Sequence, residues 1–573
     1  MSERDAKAKA LQPIYQRTRL ALGVSASRED ADFSRLDRNA LKAPRIIMDR
    51  QSGVVLPLFS IRTRRDWGIG QITDLPVCAA WIRRAGQRLL QVLPPHELSI
   101  GETSPYGALT AFGLDPIYLD VEAIDDLDAG SMAEALGEDG KSVLGRLRAA
   151  PRVDYREVRA LKTRVLRVAF DRFYETQWVS RTPRAKRLSE YMAKESAWLD
   201  DLALYTALRE SRSGSGWMTW SEGQRDRRPN ALQKVRVDHG RRLVEVAYVQ
   251  WLLSEQWDTA HAQMRDLGVE LMGDVPFIVG TESADVWSHA AQFQLNVSLG
   301  APPDDYSADG QDWGLPAYDW LAMEADGLGW IRARARRAAQ LYDRFRLDHV
   351  VGYFRQWVRG KAGSSKGRFD PVGPDAQQAR GLRVLGATVQ AVSQEAASGR
   401  SVLPPRAIAE DLGVIPPFVR DVLRQLGMPG YRVLPWEKDR AGFRDPKAFP
   451  KSSVASFSTH DTAPIDAWWE EFSEAERVEL AARAGIPAGA TAEVRSLALL
   501  GDLFQASSDL TLVLAQELLG LRDRINIPAT VGSHNWTWRL PAPVEDLEAD
   551  RRVVARLEAI RKLVEASGRS PAR

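Results

Sequence analysis

Short apolar runs recur along the chain, and stretches with a helical period separate them. The runs 53–60, 88–95 and 269–279 read as strands one, two and three. Three later runs end on acids. These are Phe345-Arg346-Leu347-Asp348, then Ala407-Ile408-Ala409 before Glu410-Asp411, then Val454-Ala455-Ser456-Phe457 before His460-Asp461. Between the last two, 430–434 reads as strand six. Apolar positions on one helical face predict helices over 159–176, 185–209, 241–266, 329–343 and 375–398. Another helix starts at Pro416-Pro417 and is ended by Gly427, and 464–507 is a helical stretch followed by 510–521. Strand and helix in alternation are the pattern of a parallel sheet. Acids at successive strand ends, spread over about 110 residues, fit a site on the C-terminal rim of a barrel. The predicted fold class is therefore α/β, a (β/α)8 TIM barrel with large, mainly helical insertions between barrel strands.

The first acidic run has internal logic. Side chains alternate along a strand, so Arg346 and Asp348 share a face. A guanidinium beside a carboxylate favours its ionised form. An ionised carboxylate at the C-terminal end of a strand is equipped to be a nucleophile. At the second run, neighbours face opposite ways, so only one of Glu410 and Asp411 points into a site; the pattern alone leaves both open. A pair of carboxylates flanking a glycosidic bond is the standard apparatus of glycoside chemistry.

The organisation that follows is an N-terminal extension over 1–45, charged and weakly helical, and the barrel start with strands one and two over 46–119. A mainly helical inserted subdomain covers 120–265. The rest of the barrel covers 266–545, and a C-terminal helix and tail cover 546–573. Thr73-Asp74 is expected to cap a helix running to Gly86. Within the barrel, 300–320 is rich in Gly, Pro, Asp and aromatic residues and is expected to be a functional loop. The stretch 234–240 contains Arg236-Val237-Asp238-His239, close in pattern to Arg346-Leu347-Asp348-His349. The amphipathic spacing of Val244, Tyr248, Trp251 and Leu252 makes it the start of a helix and not a site.

Composition narrows the function. A chain of 573 residues exceeds a bare barrel of about 250 and leaves room for insertions. The net charge of +2 implies no nucleic-acid partner. The single cysteine, Cys78, excludes an intrachain disulfide. The N-terminus lacks the apolar core of a signal peptide, and no run of about 18 apolar residues occurs, so a cytoplasmic protein without a membrane partner is expected. There is no CxxC or HExxH, so no metal is expected. Tryptophan faces can stack on sugars, although most of the 18 tryptophans are expected in the core.

The segments RLDHVVG, AEDLGV and STHD resemble the catalytic motifs of the 4-α-glucanotransferases, the amylomaltase or disproportionating-enzyme family (glycoside hydrolase family 77), from about Gly53 to Arg539. SPYG, GDVP and GQDWGLP precede them in the family's order. The resemblance implies that Asp348 is the nucleophile, that Glu410 rather than Asp411 is the acid/base, and that Asp461 binds hydroxyls of the donor sugar. It also implies sugar contacts at Ser104, Tyr106, Asp274, Trp313, His349 and His460, with Arg346 holding Asp348 ionised. Partners would be α-1,4-glucan donors and acceptors, with no cofactor, because the carboxylates do the chemistry. Three positions depart from the family pattern: Glu282 replaces an expected Asp, Thr462 follows the His-Asp pair, and Ala529 replaces an expected Gly. A hydrolase of the same fold and a catalytically silent glucan-binding protein are the alternatives. The presence of all three acids argues against the second.

Overall fold

Eight short strands close into a parallel barrel: β1 (Gln51–Val55), β2 (Leu89–Gln91), β3 (Glu270–Val275), β4 (Arg344–Leu347), β5 (Arg406–Ala409), β6 (Gly430–Val433), β7 (Ser453–Ser456) and β8 (Leu510–Leu514). Their order around the barrel is β1-β8-β7-β6-β5-β4-β3-β2. The computed structural model describes residues 50–99, 101–303, 310–360, 367–397, 406–528 and 530–569; the expected extension 1–45 and Ala529 lie outside the described residues. Strands covered on both faces are mostly apolar. β8, Leu-Thr-Leu-Val-Leu, is accordingly buried throughout. It occupies the start of 510–521, where a short apolar run gives no period with which to tell strand from helix. β1, β2, β3 and β6 are shorter than the apolar runs that predict them. The residues after β1 turn into a 3-10 helix, Leu58–Ser60.

The chain divides into two compact units. One holds Val275–Ile278 and Ala291–Tyr431. In it β4 and β5 pair in parallel from Arg344 opposite Arg406 to Leu347 opposite Ala409. Its second feature is a four-stranded antiparallel sheet, in the order Gln311–Tyr318, Phe293–Ala301, Gln356–Gly360, Arg368–Asp370. The expected loop over 300–320 is therefore corrected. Its described ends, up to Ala301 and from Gln311, are strand, and Trp320 already begins a helix. The reason is a period-two pattern beneath the turn-rich composition: Gln311, Trp313 and Leu315 are half-buried while Asp312 and Gly314 are exposed. Gly300 permits the close pairing, since a Cβ there would lie 1.9 Å from the Gln311 carbonyl oxygen.

The other unit holds Met48–Asp274, Val279–Ala290 and Arg432–Arg573. Here β1 pairs with β8 from Gln51 opposite Leu510 to Val55 opposite Leu514. Below this seam the Arg569 guanidinium is fully buried and donates to the carbonyls of Gln51, Phe504, Ala506, Ser508 and Asp509. Between β2 and β3 lie the long helices Tyr155–Phe173, Pro183–Ser211 and Gly240–Asp266. Asp154 and Thr182 cap the first two through their side chains. Their apolar faces meet in an aromatic cluster in which Phe173 and Tyr248 approach to 4.7 Å. Two local readings change. The helix expected from Thr73-Asp74 runs Leu75–Arg83, and the Asp74 carboxylate turns back to the Gln71 amide instead of capping it. Arg236-Val237-Asp238 is the end of the helix Pro229–Asp238, with His239 the junction to the next, because the apolar pair Leu232 and Val235 anchors a preceding turn.

Candidate active site

Register delivers the first two acids. Leu347 and Ala409 are paired partners at the ends of neighbouring strands, so the next residues, Asp348 and Glu410, emerge side by side. The Asp348 amide donates to the Val275 carbonyl at 3.1 Å, and the Glu410 amide to the Leu347 carbonyl at 3.0 Å. Alternation places Arg346 on the face of Asp348, and its Nη2 lies 2.8 Å from Asp348 Oδ1. The same nitrogen is 3.8 Å from Glu410 Oε2, so one guanidinium stands between the two carboxyl groups. The Arg346 side chain is 8% exposed and Glu410 13%, whereas Asp348 keeps 23%. Asp348 is therefore the more solvated of the two acids.

Burial pushes the Glu410 carboxyl up to about 8; Arg346 opposes this, Asp348 adds to it, and amide donors at His349 and Leu412 oppose it. Those amides donate to Oε2 at 2.9 Å and Oε1 at 3.1 Å. Glu410 thus holds a proton at neutral pH, and its orientation is fixed. Asp411 faces the other way, fully buried, and accepts from the Tyr431 amide at 2.6 Å and Arg420 Nε at 3.0 Å. Its role is to tie β5 to β6.

His349 turns the chain after Asp348 with a left-handed φ of 45°. Gly352 completes the turn, since a Cβ there would sit 2.5 Å from the Phe277 ring. Burial pushes the His349 imidazole down to about 4, so it is neutral and can both donate and accept. Trp313 stands edge-on to it, with centroids 5.0 Å apart, and its indole nitrogen donates to Gln311 Oε1 at 3.0 Å.

The other unit gathers a second set of expected residues. Ser104 Oγ accepts from the Tyr106 amide at 3.4 Å, which sets the tyrosine's backbone. The Tyr106 hydroxyl donates to Asp274 Oδ2 at 2.9 Å and lies 2.9 Å from His460 Nε2. Since the tyrosine's single proton is given to Asp274, His460 Nε2 carries the hydrogen for its contact. His460 Nε2 is also 3.1 Å from Asp461 Oδ2. Asp274 is fully buried, at the C-terminal end of β3. The Asp461 side chain is 39% exposed.

Pattern reading does not find the supports of Asp461. Asn526 Nδ2 donates to Asp461 Oδ1 at 2.6 Å, and Arg524 Nη2 to the Asp461 carbonyl at 2.9 Å. Both stand in the stretch that resembles the family, so the motif could have flagged them, but no local period does. Glu282 also has an explanation: its carboxylate accepts from the Trp217 amide at 3.1 Å and lies against Gly216. Ser283 and Asp285 act locally, Ser283 capping the helix Ala284–Ser288 and Asp285 accepting from the Ala111 amide at 2.6 Å. Among the described residues no group of three or more His, Cys, Asp or Glu is placed to hold a metal ion, and no helix is long and apolar enough to cross a membrane.

The sequence profile described as 4-alpha-glucanotransferase matches residues 56–545. A 4-alpha-glucanotransferase of Chlamydia muridarum is 29% identical over 89% of this chain and 94% of its own length. The chloroplastic/amyloplastic 4-alpha-glucanotransferase of rice is 31% identical over 86% of this chain and 80% of its own. The fold is similar to that of an amylomaltase from Streptococcus agalactiae, solved in complex with acarbose, with a TM-score of 0.75 and 24% identity over 91% of this chain and all of that one.

Proposed function

The chain belongs to the 4-alpha-glucanotransferase family, and we propose that it moves α-1,4-glucan segments between maltodextrins with Asp348 and Glu410 as its reacting groups. The observation that carries this is the Arg346 guanidinium, 2.8 Å from Asp348 and 3.8 Å from Glu410. Around it two carboxyl groups differ in what they can do. Asp348 attacks the anomeric carbon of the donor, the bond from that carbon to the leaving oxygen breaks, and Glu410 gives its proton to that oxygen. A covalent glucosyl-enzyme remains. In the second half Glu410, now ionised, takes a proton from the incoming sugar hydroxyl, whose oxygen displaces Asp348 from the anomeric carbon. Two displacements at one centre retain the configuration.

The remaining residues serve the sugars. Asp461 accepts from donor-sugar hydroxyls and strengthens its hold as the ring distorts, supported by Asn526. Tyr106 and His460 form the aromatic wall of the donor side, with Asp274 fixing the tyrosine hydroxyl. His349, neutral, contacts a hydroxyl beside the nucleophile, and Trp313 offers its face to the acceptor. Transfer exceeds hydrolysis when a sugar reaches the intermediate before water does. We assign the reaction to the cytoplasm; Cys78 is buried and free, and a free thiol is the form that a reducing compartment keeps.

The test is incubation with maltotriose, resolving products by chain length while counting reducing ends. Glucose and a ladder of longer maltodextrins at constant reducing ends is the expected result. Rising reducing ends with only shorter products would make it a hydrolase, and unchanged maltotriose would overturn the reading.

A further inference from the structure

Trp536 has no role in the reading above, yet its backbone and its ring are both unusual. Its φ is 61°, in the left-handed region, which a bulky residue adopts only where its surroundings enforce it. The residue is 8% exposed, and its ring stands edge-on to Tyr106, with centroids 5.7 Å apart, and 6.0 Å from the His460 ring. Tyr106 and His460 are themselves stacked at 5.8 Å. The three rings form one packed group; in it the Tyr106 hydroxyl donates to Asp274, and His460 Nε2 lies 3.1 Å from Asp461 Oδ2.

The strained conformation is held from both sides. The Trp536 amide donates to the Ile525 carbonyl at 2.9 Å. Its carbonyl accepts from the buried Tyr155 hydroxyl at 2.7 Å, at the start of the helix Tyr155–Phe173. Next to it, the Asn535 side chain accepts from the Ile527 amide at 2.9 Å and donates to the Thr530 carbonyl at 2.9 Å. On the other side the Val153 amide donates to the Thr537 carbonyl at 2.8 Å. The same braced segment carries Asn526, which reaches Asp461. In this conformation the ring meets both Tyr106 and His460.

We propose that Trp536 is a positioning residue for transfer, a wedge that fixes Tyr106 and His460 where their polar atoms meet Asp274 and Asp461. This rests on the reading of Tyr106, His460 and Asp461 as donor-sugar contacts. It implies that the helical insertion, through Tyr155, helps to set the donor site.

The test uses the full chain and maltotriose, with Trp536→Leu, Trp536→Phe, Tyr106→Phe, the double variant Tyr106→Phe/Trp536→Leu, and Tyr155→Phe. Trp536→Leu is expected to lower kcat by about 100-fold, the scale of a small misplacement of reacting groups, with KM changed far less. Trp536→Phe should restore most of that loss. The double variant should lose little more than the worse single one, because both act through one group of rings. Tyr155→Phe keeps every ring and should lower kcat more modestly; it carries the test if Trp536→Leu does not fold. A loss from Trp536→Leu that merely follows the folded fraction, or full additivity with Tyr106→Phe, would reduce Trp536 to a packing residue. Should Trp536→Leu not fold, wild-type kcat in Tyr155→Phe would do the same. If the wild-type protein leaves maltotriose unchanged, the transfer reading has failed instead.

Discussion

Arg346-Leu347-Asp348-His349 and Arg236-Val237-Asp238-His239 are nearly the same four residues, and the chain uses them for different ends. In the first, a strand packs Leu347 into the core at 4% exposure, and alternation brings Arg346 and Asp348 together on one face. In the second, a helix leaves Val237 74% exposed and turns Asp238 back toward Lys234, one turn earlier, at 2.8 Å. The first guanidinium is buried between two carboxyl groups, and the second lies in solvent. A chemical motif becomes a site when secondary structure sends its polar atoms the same way and packing removes water from around them.

The comparison is open to direct attack. Asp348→Asn should reduce transfer by about 10,000-fold, the order seen when a nucleophile is lost, while Asp238→Asn leaves it within about twofold. Comparable losses in steady-state assays would erase the distinction. Arg346→Met should cost on the order of 100-fold in kcat/KM. Because Arg346 opposes the upward shift of Glu410, its removal should also move the alkaline limb of the pH profile upward from the wild-type limb near pH 8. Arg236→Met should leave both rate and profile alone, and an unmoved limb in Arg346→Met would disconnect that arginine from Glu410.

Stability gives a third contrast. Leu347→Ala should cost roughly 2–5 kcal/mol in denaturant unfolding, and Val237→Ala less than about 0.5 kcal/mol. Equal costs would mean the two tetrapeptides are buried alike. The smallest effect concerns protons. The ordinary carboxyl value is 4.5 and Glu410 sits at about 8, so the native state keeps a proton that the unfolded chain releases between those limits. That component of stability is intact below pH 4.5 and declines as pH rises to 8. The Tm of Glu410→Gln relative to wild type should therefore improve over this window, by a few degrees at most. A difference that does not vary with pH would show that Glu410 titrates normally.

The barrel was legible because strands covered on both faces are mostly apolar, so their short runs stand out between the helical stretches. The pair at Arg346 and Asp348 was legible because alternation is rigid. Glu410 over Asp411 needed the family resemblance, since opposite faces say nothing about which face is inside. The sheet strand Gln311–Tyr318 was hidden by glycine, proline and aspartate, which read as loop until a partner strand pairs with them. Asn526 was hidden by distance: it meets Asp461 across 65 residues, and no period extends that far. Trp536 gives no sign in sequence that its backbone turns left-handed, because packing imposes that conformation.

The seam between β1 and β8 also sets a clock. Gln51 and Thr511 are 460 residues apart, and they sit side by side where the barrel closes. At about 5–20 residues per second, β1 spends roughly 20 to 90 s outside the ribosome before its partner is made. For that time its free edge faces the cell without a neighbour on that side. Arg569, which fastens the seam by five carbonyls, arrives later still.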